Sequence, residues 1–206
     1  MLALLLGITV SVGAAAPLER DLGQGLKYFR LKQLPGDLPA QNESSPVAAL
    51  VVDVRYLPAE ADAAATLDAW LRFRASPKAP IFLLANGETS PALLRLLTQR
   101  EPGTGLVLVG ARSRQFEPDI AVTVSRENEQ RAYAALADGV PVSALLTDNP
   151  DKVRHDEASL SRDRLAESSA EATSPDPAAK GPKPSLDVAL QRAVHLHRAL
   201  VALRKI

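Results

Sequence analysis

Cysteine is absent from this chain of 206 residues, which excludes disulfides, thiolate nucleophiles, Cys-ligated zinc and iron–sulfur clusters. Aromatic residues number only eight, too few for the stacking platforms that hold single-stranded nucleic acid. Neither sign of charge is in excess: 24 Lys and Arg stand against 24 Asp and Glu. Nothing in that balance draws the chain to nucleic acid or to an acidic membrane surface. What is present is a hydrophobic content of 46%, rich in Ala and Leu, in a chain long enough for one domain with a core of its own.

The first eighteen residues carry no charged side chain. Met1 to Val12 is a short apolar run, followed by Gly13, Ala14, Ala15 and Ala16. About ten apolar residues and then small ones form the pattern of a secretory signal, since a membrane span needs ~20. Cleavage after Ala15 is expected, with a mature protein that is periplasmic or secreted and no membrane association beyond the signal.

Further along, strand and helix signals alternate. Gly25 to Leu34 (GLKYFRLKQL) reads as an edge strand with Phe29 and Leu31 facing the core. A loop follows, in which Asn42-Glu43-Ser44 is formally a glycosylation sequon. Ala48 to Val54 (AALVVDV), Pro80 to Ala85 (PIFLLA) and Gly105 to Val109 (GLVLV) are continuous apolar runs, as strands buried on both faces require. Between them lie a helix from Pro58 to about Ala75, carrying Leu67, Trp70, Leu71 and Phe73, and a second from Ser90 to Gln99. Asp119 to Val124 reads as a shorter strand, and Ser125 as the cap of a helix to Leu136. Three apolar strands separated by helices predict a largely parallel α/β core.

Residues 16–150 form that core. Residues 151–184 read as a charged extension followed by a disordered linker, ESSAEATSPDPAAKGPKP having almost nothing to bury. Residues 185–206 read as a docking helix capped by Ser185, with an apolar stripe of Ala189, Ala193, Leu196, Leu200 and Leu203.

Local chemistry is sparse. His195 and His197 are two apart on a helix and point to different sides, so they cannot share a metal, and a surface or interface role is expected. His155-Asp156-Glu157 lies in the charged stretch without an apolar pocket to tune it. The pairs Gly23/Gly25 and Gly103/Gly105 precede strands, the wrong order for a phosphate cradle. No cofactor and no metal is expected. Ser90 is the one hydroxyl of interest, at the mouth of a helix after a buried strand. Ser followed by Pro91 is also among the most favoured helix starts, and capping outweighs catalysis on that ground.

The order of these segments resembles the tail-specific (carboxy-terminal processing) serine peptidases of the ClpP/crotonase-like fold. GLKYFRLKQL resembles the strand opening that family's core, and ALVVDVRY its central strand with the Asp-x-Arg, here Asp53 and Arg55. PIFLLANGETSPALL resembles the strand, turn and helix bearing the nucleophile, and GLVLVGAR the next strand with its Val-Gly step, here Val109-Gly110. Pro118-Asp119-Ile120 resembles the segment leading out of the core, and Leu190-Gln191-Arg192-Ala193 the start of the terminal helix.

The resemblance implies a Ser nucleophile activated by a Lys, with an oxyanion hole built partly from glycine N–H groups. Counted without gaps, the nucleophile position falls on Pro91, with Ser90 one residue away. The Gly-Gly expected after Tyr56 is replaced by Leu57-Pro58-Ala59-Glu60. The stretch that should carry the base is missing: only eight positions separate Gly110 from Pro118, and no Lys occurs between Lys78 and Lys152. Lys27 or Lys32 would have to compensate. The family's PDZ domain has no room in the chain.

These departures lead to an expectation of a degenerate, exported, non-catalytic peptidase-like protein. Its role would be to bind an extended peptide or a protein partner, or to act as an assembly module, with a homo-oligomer as one form. Two alternatives stay open: an active serine hydrolase with Ser90 as a shifted nucleophile, and a carrier of a small apolar ligand in a cleft of Leu, Val and Phe.

Overall fold

A computed structural model describes residues 17–39, 48–101, 103–146 and 186–206. The signal segment 1–15, the sequon at Asn42, the extension and linker 151–184, His155 and Ser185 all lie outside the described residues. The chain divides into two compact units, Met1–Thr123 with Arg192–Ile206, and Val124–Gln191.

The first unit is built on a six-stranded sheet whose spatial order follows the sequence, β1-β2-β3-β4-β5-β6. Its strands are β1 (Leu18–Gly23), β2 (Leu26–Arg30), β3 (Leu50–Asp53), β4 (Ile81–Leu84), β5 (Leu106–Ala111) and β6 (Ile120–Val122). β1 and β2 are antiparallel and every later pair is parallel. Each residue of β3 and of β4 is buried, as their unbroken apolar runs require of strands covered on both faces.

Two helices cross between these strands: α1 (Ala61–Arg74) from β3 to β4, and α2 (Pro91–Thr98) from β4 to β5. Sequential parallel strands joined by crossovers of one hand place these helices on the same sheet face. There Phe29, Leu31, Val52, Val54, Ile81, Leu83 and Leu108 pack with Leu67, Trp70 and Leu71 of α1 and with Leu93, Leu94 and Leu97 of α2. Among the described residues the order of the parallel strands never reverses, so they form no switch-point crevice of the kind in which doubly wound folds bind nucleotides.

The structure corrects the sequence reading at the sheet edge and on α1. Gly25 to Leu34 does not supply the edge: β2 is an interior strand, and the edge is β1, LERDLG, whose charges hide its strand character. β1 forms because Gln24 and Gly25 both take positive φ, 53° and 75°, as a two-residue hairpin turn of type I′ demands. Phe73 is 69% exposed rather than part of the core stripe. The buried side of α1 is Ala64, Leu67, Trp70 and Leu71, and Phe73 lies two residues, some 200°, beyond Leu71.

In the second unit, α3 (Arg126–Ala137) starts where expected: the Ser125 hydroxyl accepts the Asn128 N–H at 3.2 Å. A single turn, α4 (Val142–Leu145), follows, too short to announce itself in the sequence. The division between the units falls within the last helix, α5 (Val188–Ala202). The Asp187 carboxylate accepts the Leu190 N–H at 3.0 Å and so caps this helix. Among the described residues, no helix is long and apolar enough to cross a membrane.

Candidate functional site

The carboxyl ends of β2, β3 and β4 bring together most of the chemistry of the sheet. Strand alternation puts Tyr28 and Arg30 of β2, and Asp53 and Arg55 at the end of β3, on the face opposite α1 and α2. The register pairs Arg30 with Asp53 directly. All four side chains are essentially removed from solvent.

Asp53 is the hub. Its Oδ1 accepts the Arg55 backbone N–H at 3.1 Å and the Arg55 Nε–H at 3.0 Å. Its Oδ2 accepts Arg55 Nη2–H at 2.7 Å and the Tyr28 hydroxyl at 2.7 Å. Arg30 Nε stands 3.9 Å from the same oxygen and donates to the Tyr28 oxygen at 3.0 Å. Burial pushes the Asp53 carboxyl up, but the Arg55 guanidinium and its hydrogen bonds, Arg30 and the Tyr28 hydroxyl together outweigh it and hold it below the ordinary carboxylate value. Burial, reinforced by the Asp53 carboxylate, raises the Tyr28 phenol well above its usual value.

A carboxylate held ionised and a phenol held neutral are poor proton carriers near neutrality. The pair works instead as a brace. The turn after β3, with Tyr56 at φ 59° and the Leu57 N–H donating to Val54 O, is held against the turn after β4. There the Thr89 hydroxyl donates to Val54 O at 3.1 Å and accepts the Asn86 N–H, while the Ser90 N–H donates to Leu57 O at 3.3 Å.

Ser90 sits on this braced turn, half-buried, as the N-cap of α2. Its Oγ accepts the Leu93 N–H at 3.3 Å, and Pro91 fills the first helical position. The amides nearest it are committed as well: Ser90 N–H to Leu57 O, Thr89 N–H to Asn86 O, Leu94 N–H to Ser90 O. Of the two lysines that could have supplied a base, Lys27 pairs with Glu19 at 3.1 Å on the β1–β2 hairpin, and Lys32 is exposed.

The other candidate residues are dispersed. His195 is half-buried, whereas His197 is buried, 3% exposed, instead of lying at a surface. The His197 Nε2 lies 3.0 Å from Gln24 O, and its ring stands edge-on to Phe82 at 6.4 Å between centroids. Gly110 is required by packing, since a Cβ there would lie 1.9 Å from the Ala85 carbonyl oxygen. Among the described residues, no three His, Asp or Glu side chains gather as a metal would need. One surface depression is lined by Asp68, Arg72, Arg100 and Glu101 together with Leu71, Ala75, Thr104 and Leu106.

Sequence reasoning missed Tyr28 and Arg30 as partners of Asp53. The available signal was alternation: Tyr28 and Arg30 are i and i+2 on one strand, and Asp53 and Arg55 are i and i+2 on the next. No family model matches the chain, and no curated protein matches it.

Proposed function

We propose that this protein is an exported, non-catalytic relative of the tail-specific peptidases, with a degenerate ClpP/crotonase-like core that serves as a peptide- or protein-binding module. The observation that carries this is the state of Ser90: its hydroxyl is engaged by the Leu93 amide as a helix cap. A serine nucleophile needs a base within hydrogen-bond reach and free donors aimed at the oxyanion. Here Lys27 is paired with Glu19, and the amides of Thr89 and Ser90 are spent inside the turn. The one-sided sequential order of β2 to β6 supports the same scaffold.

The binding surface that this reading favours is the edge of β1. Among the described residues it has a strand neighbour on one side only, and it runs for six residues, against three in β6 at the other edge. The exposed Glu19, Arg20 and Asp21 on it discourage indiscriminate pairing and favour a peptide of matching charge. The test has two arms. A fluorophosphonate probe is expected to leave Ser90 unlabelled, and labelling that vanishes in Ser90→Ala overturns the non-catalytic assignment. An array of extended peptides, probed with the full chain, is expected to retain it on some sequences and to lose that retention with Arg20→Pro. Retention on none, or retention indifferent to Arg20→Pro, overturns the edge as the binding surface.

A further inference from the structure

We propose that residues 192–206 are a releasable strap, a helical segment that opens as a unit from the sheet face bearing Phe82 while the strands stay folded. The proposal is independent of the peptidase resemblance and rests on how this segment meets the sheet. Ala189 and Leu190 anchor the start of the helix, but within 192–206 the side turned inward is weak for packing: Ala193, Val194 and His197 are its buried residues. The leucines of this segment, which would bury most area, take the flank and the outside, with Leu196 and Leu200 half-buried and Leu203 67% exposed, beside Val201 at 36%. A helix held for stability alone would present the leucines to the sheet.

His197 adds a specific cost. Gln24 O can only accept, so the ring nitrogen 3.0 Å from it, Nε2, carries the proton. Nδ1, the other ring nitrogen, is buried and without a hydrogen-bond partner among the described residues. Leaving such an atom dry favours the open state by roughly five- to a hundred-fold relative to an apolar side chain there. Opening returns Nδ1 to water. It leaves no stranded group behind either, because Gln24 is exposed and its carbonyl exchanges imidazole for solvent. The strands beneath have no such weakness: β3 and β4 are wholly buried and paired on both sides. Segments of low local stability open separately from a core of this kind. What opening uncovers is Phe82, the large side chain of β4 on the face away from α1 and α2, so the strap controls access to that face.

Amide hydrogen exchange of the full chain, resolved by segment, tests this. Amides of residues 195–202 are expected to exchange at least about ten-fold faster than those of β3 and β4 under native conditions. His197→Leu is expected to slow the strap about five-fold or more with the strands unchanged, and Val194→Ala to speed the strap alone. Exchange of the strap in step with the strands overturns the proposal. So does a strap rate indifferent to His197→Leu, or a Val194→Ala effect shared equally by β4.

Discussion

Arg55 grips Asp53 from two residues away, with Nε on one carboxylate oxygen at 3.0 Å and Nη2 on the other at 2.7 Å, and neither side chain reaches solvent. Planar two-point pairing of this kind fixes direction as well as distance. It sets the path of the chain as it leaves β3, and through Val54 and Leu57 it sets the turn on which Ser90 stands.

Asp53→Asn is therefore expected to be severely destabilising. It removes the anion from beside two buried guanidinium groups, and breaking a buried pair in this way costs about 3–5 kcal/mol. Urea unfolding of the variant against the parent chain measures it. The same group gives an acid limb. With a folded value below the ordinary carboxylate value, Asp53 contributes stability that is present above its unfolded value near 4 and is lost as pH falls through the folded one. That part of the acid loss should be missing in Asp53→Asn.

Tyr28 acts at the other end of the pH scale. Its proton is held more tightly in the folded state, so its contribution is complete below the ordinary phenol value of 10.0 and is lost as pH rises through the raised one. Tyr28→Phe gives up hydrogen bonds to Asp53 and Arg30, at a cost of about 1–3 kcal/mol near neutrality. Its melting temperature should nevertheless fall less steeply between pH 9 and 11 than that of the parent chain. Parallel curves would show that the phenol does not titrate differently on folding.

The strands that carry this network were the most legible part of the chain. AALVVDV, PIFLLA and GLVLV are apolar without alternation, and only a strand buried on both faces uses such a run. Ser90-Pro91 announced the start of α2 because a cap and a fixed φ are local chemistry. Features set by partners distant in sequence were not legible in this way. LERDLG is a strand only because the Gln24-Gly25 turn folds it onto β2. The last helix carries an apolar stripe of Ala189, Ala193, Leu196, Leu200 and Leu203, and of that stripe only Ala189 and Ala193 are buried. Periodicity fixes that a helix has sides; which side docks is decided by the surface it meets.

Gly110 is a second point where a local rule gives way to a distant contact. An apolar strand gains from a side chain, and glycine weakens it. Here the Ala85 carbonyl oxygen occupies the space a Cβ would take, at 1.9 Å, and being backbone it cannot swing aside. Gly110→Ala must push β5 from the end of β4, across the pairs that join Leu84 to Val109. A loss of about 3 kcal/mol or more is expected, at the upper end of overpacking costs. Thermal unfolding checks it, and a change below 1 kcal/mol would mean that the two strands separate freely at this end.

Ser90 allows capping and catalysis to be separated by experiment. A cap needs only a side-chain oxygen that accepts the Leu93 N–H, which aspartate supplies as well as serine, with the helix dipole in its favour. A nucleophile needs the hydroxyl itself. Ser90→Ala is expected to lower stability by about 1 kcal/mol. Ser90→Asp is expected to match the parent chain within about 0.5 kcal/mol, because it restores the cap while abolishing any serine chemistry. Denaturant midpoints of the three proteins decide the point. Equal losses in Ala and Asp would show that the hydroxyl is held by something other than the Leu93 amide, and would return Ser90 to the list of possible nucleophiles.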